Sequence, residues 1–176
     1  MQVIQTLVAD THLIDVESRL DDRGSFGRTW CAEVARAHGL CPYFEQSSVS
    51  FNRARGTLRG LHFQRHPHSE VKLVRCTAGA IFDVVLDLRP ESLTFRRWTA
   101  FRLDCENRRA LYIPRGCAHG FLTLTDGAEV LYQISPAYKP GFESGVRWDD
   151  PAFGIEWPEA PRIMSERDKS WPDFEP

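Results

Sequence analysis

The sequence lacks the features that mark secreted, membrane-spanning or nucleic-acid-binding proteins. No run of 18 uncharged apolar residues occurs along the chain, so we expect no transmembrane helix. Its first residues show no basic stretch followed by a long apolar run, so we expect no signal peptide. Lys and Arg number 22 against 24 Asp and Glu, a balance that gives no bulk attraction to nucleic acid or to anionic membranes. We therefore predict a cytoplasmic protein that binds neither.

Paired cysteines are also missing. The five cysteines are widely spaced and odd in number, and no Cys-x-x-Cys pair occurs, which argues against a zinc ribbon or a redox pair. We expect free thiols in a reducing compartment. No internal repeat, low-complexity tract or linker interrupts the 176 residues. This length fits one hydrophobic core, so we predict a single domain over 1–176.

What the sequence does contain is a series of short β-rich segments separated by Gly, Pro and Asp. They cover 71–76, 80–88, 98–103, 110–113, 120–124 and 129–134. Many short strands with turn signals between them indicate a sandwich or a barrel. One short helix is predicted around 31–38, where Gly39 ends it. The Pro-rich tail after Trp148 is predicted to be irregular and to pack over the barrel.

Two strands carry a charged residue at a position that alternates with apolar ones. Lys72 shares a strand face with Val74, and Asp83 shares a face with Val85, because alternate residues point to the same side. A charged side chain on an inward face is costly unless it is paired or functional. The alternative is that both residues lie on the outward faces of their strands.

The densest group of reactive side chains lies at 55–64. Arg59 and His62 have opposite parity on an ideal strand and should point apart. Gly60 between them is a natural position for a β-bulge, which would bring both side chains to one face. A second histidine, His119, follows the tight turn predicted at 114–116.

The order of these motifs resembles a known family. The Pro-x-Gly-x-x-His pattern at 114–119 is similar to the second motif of the cupins, which are small jelly-roll barrels. More specifically, segments 59–64, 72–75, 113–121 and 147–151 resemble the dTDP-4-dehydrorhamnose 3,5-epimerase family, and the likeness runs in order from 22 to 168. The resemblance implies an all-β, cupin-type antiparallel jelly-roll barrel with one short helix. It also implies a homodimer with exchanged N-terminal strands.

The activity implied is epimerisation at C3, C5 or both of a nucleotide-diphosphate 4-keto-6-deoxy sugar, with no cofactor. Imidazole titrates near neutral pH and suits a base, and the resemblance gives that role to His62. It also makes Tyr132 the acid on the opposite face and Lys72 the cation beside the keto oxygen. The acidic partner of His62 is Asp168 by resemblance, and Asp83 is a second candidate from strand parity alone.

The same resemblance implies the residues that bind the substrate. Arg59 and His119 would hold the diphosphate or the sugar, since an Arg side chain matches phosphate with a fork of donors. The remaining positions are Arg23, Phe26, Arg28, Gln46, Ser48, Tyr138, Glu143 and Arg167.

Two of these positions depart from the family pattern. The thymidylate enzymes usually have a Glu where this chain has Arg28, and an Asn where it has Ser48. Replacing Glu with Arg reverses the charge offered to the base. A CDP- or GDP-linked sugar is therefore an alternative to a dTDP-linked one.

Metal binding is the main competing hypothesis, because many cupins hold a metal with two His and one Glu from one segment. That segment here is His62-Phe-Gln64, which lacks the second imidazole. His66, His68 and Glu70 offer metal-binding side chains, but we expect them in a solvated loop and predict no metal. Three rivals stay open: a sugar-nucleotide ketoisomerase, a metal-dependent cupin enzyme, and a sugar-nucleotide binding module without activity.

Overall fold

Residues 1–175 are described by a computed structural model. Two short helices and a larger set of antiparallel strands make up the regular structure. The strands are β1 (Gln2–Gln5), β2 (His12–Asp15), β3 (Arg19–Asp21), β4 (Gly24–Phe26), β5 (Gln46–Asn52), β6 (Leu58–Gln64), β7 (Val71–Ala78), β8 (Ala80–Asp87), β9 (Trp98–Asp104), β10 (Ala110–Ile113), β11 (Cys117–Thr123), β12 (Ala128–Ser135) and β13 (Glu143–Gly145). The helices are α1 (Ala32–Ala37) and α2 (Glu166–Lys169).

The strands form two principal sheets between which the chain passes repeatedly. One sheet is six-stranded with the order β1-β2-β10-β7-β12-β5, and the other is five-stranded with the order β13-β6-β11-β8-β9. The pair β3 and β4 forms a separate hairpin. This architecture confirms the predicted all-β, cupin-type jelly roll.

The main core lies between the two sheets. Val74 of β7 and Val85 of β8 belong to it, together with Phe121 of β11. Lys72 and Asp83, which share strand faces with Val74 and Val85, are both buried. The prediction that they lie on the inward faces of their strands is therefore confirmed. The outer faces are covered as well, one by α1 and the residues around it and the other by segments that follow β13. Coverage of both faces explains why the central strands are almost continuously apolar.

The predicted helix and tail differ in detail from the structure. Helix α1 spans 32–37 rather than 31–38, with Cys31 at its N-cap. The prediction of a single helix was wrong, because the tail forms α2. The Ser165 side chain caps α2 by accepting a hydrogen bond from the Asp168 backbone N–H. A helix of four residues is too short to produce an apolar periodicity. The Ser-x-x-Asp pattern, which is typical of a helix N-terminus, is therefore its only signal in the sequence.

Several strands were not predicted: β1 to β5 and β13. Strand β5 shows the reason, since its sequence Gln-Ser-Ser-Val-Ser-Phe-Asn is mostly exposed and lies at a sheet edge. Polar edge strands lack the apolar runs from which the central strands were recognised.

No helix within 1–175 is long and apolar enough to cross a membrane. All five cysteines are free, as expected from their spacing. The cytoplasmic location stays a prediction.

Candidate active site

A cavity of about 820 Å³ opens between the two sheets. Strands β5, β7 and β12 supply one wall, β6 and β11 supply the other, and the C-terminal segment 163–171 closes over it. The cavity therefore takes side chains from distant parts of the sequence.

A β-bulge at Gly60 shapes the wall formed by β6. His119 of β11 pairs with His62, and Phe121 pairs with Arg59, so three steps along β6 match two along β11. The bulge was predicted at this position, and it places both Arg59 and His62 on the cavity. Gly60 has a φ of +129°, a left-handed conformation that favours glycine.

We predict that Gly60→Ala is strongly destabilising. A Cβ at this position would lie 2.4 Å from the Gly120 Cα, a backbone atom of β11, which is paired with a strand on each side and cannot shift as the tip of a flexible side chain would. Gly24→Ala is a matched control, because Gly24 has a similar φ of +126° but nothing within 4 Å of its added Cβ. Overpacking should lower the free energy of unfolding of Gly60→Ala by about 1–3 kcal/mol beyond the control. Urea denaturation of both variants measures this difference, and equal losses would contradict it.

His62 and Asp168 form a close pair at the cavity. The His62 Nε2 lies 2.6 Å from Asp168 Oδ1, and the other carboxylate oxygen accepts the Gly60 backbone N–H at 3.2 Å. Burial by itself would raise the pKa of Asp168, but the hydrogen bond and charge of His62, with help from Gly60, lower it overall. The structure thus decides between the two predicted partners, since His62 contacts Asp168 and not Asp83.

Lys72 lies beside this pair, and two contacts orient its ammonium. Its Nζ is 3.0 Å from Glu70 Oε1 and donates to the His62 carbonyl at 2.9 Å. Lys72 is only 8% exposed. The ion pair with Glu70 offsets part of the cost of burying the charge.

The prediction that Glu70 lies in a solvated loop was wrong. Glu70 is 7% exposed, and its second oxygen accepts the Gln64 backbone N–H at 2.9 Å. His66 is exposed and His68 is half-buried. The signal available in the sequence was spacing, because Glu70 stands two residues before Lys72, and an extended backbone through 70–72 would place both side chains on one side.

Tyr132 faces the same cavity from β12, on the opposite sheet. Burial raises the pKa of its hydroxyl, the negative charge of Asp83 raises it further, and Arg59 opposes both. Because the pKa is raised, the hydroxyl keeps its proton throughout the physiological range.

A second His–Asp pair lies deeper in the barrel. His119 Nε2 is 2.8 Å from Asp83 Oδ1, and both residues are buried. His119 borders the cavity, whereas Asp83 does not. Asp83 is therefore placed to act on His119, not on His62 as strand parity had suggested.

Most of the predicted substrate-binding residues line the cavity. They are Gln46, Ser48, Arg59, His119, Tyr138, Glu143 and Arg167. Arg23, Phe26 and Arg28 lie on or just after the exposed β3–β4 hairpin and do not border the cavity of their own chain, so their binding role stays a prediction.

Sequence reasoning missed other lining residues, including Gln64, Met164 and Trp171. Trp171 packs on Gly145, where an added Cβ would lie 2.4 Å from the indole ring. Its place at the cavity depends on the path of the tail, which no local pattern in the sequence indicates. Within 1–175, no group of three His, Cys, Asp or Glu side chains is arranged to hold a metal ion.

The arrangement supports proton transfer at a carbon next to a carbonyl. An imidazole on one sheet faces a phenol on the other, and an oriented ammonium lies beside the imidazole. Such a set can remove a proton from one face of a bound molecule, stabilise the resulting oxyanion, and return a proton to the other face.

Comparison with known proteins gives consistent results. A sequence model of the family described as dTDP-4-dehydrorhamnose 3,5-epimerase matches residues 5–176. An enzyme of that name from Methanothermobacter thermautotrophicus is 44% identical over 171 residues, which cover 96% of this chain and 91% of the relative. The enzyme of the same name from Salmonella typhimurium is 42% identical over 159 residues, covering 90% of this chain and 86% of the relative.

Solved structures are similar over nearly the whole chain. The crystal structure of a dTDP-4-dehydrorhamnose 3,5-epimerase from Bacillus anthracis with TDP and PPi bound superposes with a TM-score of 0.94 at 38% identity, covering 98% of this chain and 99% of that one. ChmJ from Streptomyces bikiniensis, described as a 3'-monoepimerase in complex with dTDP-quinovose, superposes with a TM-score of 0.88 at 32% identity, covering 97% of this chain and 86% of that one.

Proposed function

Because this chain belongs to the dTDP-4-dehydrorhamnose 3,5-epimerase family and is therefore an isomerase, we propose that it inverts C3, C5 or both of a nucleotide-diphosphate 4-keto-6-deoxy sugar by cofactor-independent proton transfer. The observation that carries the proposal is the placement of His62 and Tyr132 on opposite sheets of one cavity. Inversion requires a proton to leave one face of the carbon and another to arrive at the opposite face.

His62 is the base in the proposed reaction. Its Nε2 faces Asp168, and a carboxylate accepts an N–H there, so the lone pair of the neutral ring lies on Nδ1. Nδ1 takes the proton from the carbon beside the keto group, and the C–H electron pair moves into an enolate. Asp168 then stabilises the imidazolium, in the manner of other acid-oriented histidines.

Lys72 stabilises the enolate. An ammonium has three N–H donors, and contacts with Glu70 and with the His62 carbonyl engage two of them. The third is free to donate to the enolate oxygen. Since the ammonium is already oriented, little reorganisation is needed when the negative charge develops.

Tyr132 completes the inversion. Its hydroxyl donates a proton to the opposite face, and the enolate electron pair forms the new C–H bond. The products are the epimer, a tyrosinate and the His62 imidazolium, and exchange with solvent restores both side chains. The enzyme thus gains and loses no electrons over the cycle.

The nucleotide end of the substrate would lie near Arg59 and Tyr138. The Arg59 Nε donates to Asn52 Oδ1 at 2.8 Å, which leaves the outer guanidinium nitrogens for the diphosphate. Tyr138 is about half exposed at the cavity and offers its ring to the base. The presence of Arg28 and Ser48 supports cytosine or guanine as alternatives to thymine.

We further propose that the protein is a homodimer in which each subunit receives the β3–β4 hairpin of its partner. Three predicted binding residues, Arg23, Phe26 and Arg28, do not border the cavity of their own chain. Phe26 is 80% exposed and Leu20 of the same hairpin is 81% exposed, and large apolar side chains exposed together are typical of a surface that meets a partner. Exchange of the hairpin would bring these residues to the nucleotide end of the other cavity.

The test is proton NMR in deuterated buffer, with dTDP-, CDP- and GDP-linked 4-keto-6-deoxy sugars offered in parallel. Loss of the C3 or C5 proton signal is expected with at least one of them. The signals lost also show whether one or both centres react. Movement of the keto group would instead identify a ketoisomerase, and exchange with none of the three would overturn the proposal.

We predict that Arg28→Glu shifts base preference toward the dTDP sugar. A hydrogen bond to a charged group contributes about 1.5–3 kcal/mol, so the ratio of kcat/KM for dTDP against the other nucleotides should rise roughly tenfold or more. Arg19→Glu is the matched control, because it reverses a charge on the same hairpin at a position with no assigned role. An identical ratio in the two variants would mean that Arg28 does not meet the base.

A further inference from the structure

Asp83 has no part in the proton transfers proposed above, yet it is the most deeply buried acid near the cavity. It is 0% exposed. One carboxylate oxygen contacts His119 Nε2 at 2.8 Å, and the other has no hydrogen-bond partner within 1–175. Burying a carboxylate with one oxygen unpaired is costly. A residue kept at such a cost calls for a functional reason.

The surroundings of Tyr132 point to that reason. No hydrogen bond within 1–175 involves the Tyr132 hydroxyl, so packing around the ring sets its direction. His119 packs edge-on against the Tyr132 ring, with centroids 5.9 Å apart and planes at 76°. Phe121 packs against the same ring at 6.3 Å. His119 is therefore one of the two aromatic rings that hold the phenol.

We propose that Asp83 is a positioning residue for Tyr132: it fixes the ring of His119, and that ring holds the phenol directed into the cavity. The inference rests on the proposed function, in which Tyr132 returns the proton. The connection crosses the barrel, from Asp83 on β8 to His119 on β11 and then to Tyr132 on the opposite sheet. Asp83 touches neither the cavity nor the reacting atoms.

Charge and position predict opposite effects of removing this carboxylate. The negative charge of Asp83 raises the pKa of the Tyr132 hydroxyl, so loss of the charge alone would make Tyr132 a stronger acid and accelerate proton return a few-fold. Loss of position slows the same step, and a misplacement of about 1 Å can cost roughly 100-fold. The positional effect is the larger, so the direction of the change identifies the role.

The experiment is Asp83→Asn, which keeps the size of the side chain. At saturating substrate in deuterated buffer, we expect inversion to slow by roughly 10- to 100-fold, while proton exchange by His62 stays within about threefold. Adding Asp83→Asn to Tyr132→Phe should cause no further loss of inversion, because the phenol it positions no longer exists. Asp104→Asn is the control, since Asp104 is a buried, ion-paired acid on β9 outside the cavity.

Several results would overturn the inference. They are inversion that is unchanged or faster in Asp83→Asn, an equal loss of exchange and inversion, and the same loss in the Tyr132→Phe background. If circular dichroism shows that Asp83→Asn does not fold, Asp83→Ser takes its place and must show the same split between inversion and exchange. Wild-type protein that exchanges no substrate proton would instead overturn the proposed function, so the two failures are distinguishable.

Discussion

Replacing His62 with alanine is expected to abolish exchange of the substrate C3 and C5 protons with solvent deuterium. The imidazole is the base of the proposed mechanism, and a positioned base contributes about 10²- to 10⁴-fold to rate. Its partner Asp168 would stay buried, held by the Gly60 N–H and the cap at Ser165, so the cavity wall should persist. NMR exchange rates measured with the preferred nucleotide sugar provide the comparison.

His66→Ala is the control for this variant, because it removes an exposed imidazole close in sequence. It should exchange protons at the wild-type rate. Exchange by His62→Ala at that same rate would mean that the base is another residue, and His119 would become the first alternative.

Replacing Tyr132 with phenylalanine is expected to separate exchange from inversion. His62 can still remove a proton, trade it for deuterium from solvent and return it to the same face, so exchange should continue. Completed inversion requires a donor on the opposite face and should fall by about 10²- to 10⁴-fold. The raised pKa of Tyr132 is compatible with this role, since a donor must hold its proton until the enolate forms. Measuring deuterium incorporation and product configuration in one sample gives both rates.

Tyr112→Phe is the matched control, because Tyr112 is a buried tyrosine outside the cavity whose hydroxyl accepts the Cys41 backbone N–H. It should lower both rates little and equally. Equal losses of exchange and inversion in Tyr132→Phe would contradict the division of roles, and would place Tyr132 in enolate formation.

The sequence predicted the fold class and three of the central cavity residues. His62 and Lys72 lie in short, ordered motifs that resemble the family, whereas Tyr132 was identified mainly by its match to the family's tyrosine. Burial of Lys72 followed from alternation with Val74, since a strand repeats every two residues whatever surrounds it. The bulge at Gly60 was likewise predicted from a local requirement, namely that Arg59 and His62 share one face.

Other features were decided only by tertiary structure. The choice of Asp168 over Asp83 as the partner of His62 joins residues 106 positions apart, and it depends on how the tail crosses the cavity. The pairing of Asp83 with His119 depends on β8 lying next to β11. The resemblance favoured Asp168 and strand parity offered Asp83, but neither shows a contact, which depends on the order of the strands and the path of the tail.

Local periodicity is set by backbone geometry and can be read from neighbouring residues, which is why strand faces and the bulge were predictable. Contacts between distant segments depend on which strands become neighbours and which segment closes the barrel, and these are properties of the whole packed chain. The strand pattern therefore indicated which strand side chains, such as Lys72 and Asp83, face the barrel interior, whereas the tertiary structure decided which of them meet and which tail residues reach the cavity. For Glu70 the spacing to Lys72 was visible in the sequence. The ion pair between the two residues depends on the burial of both, which the fold decides.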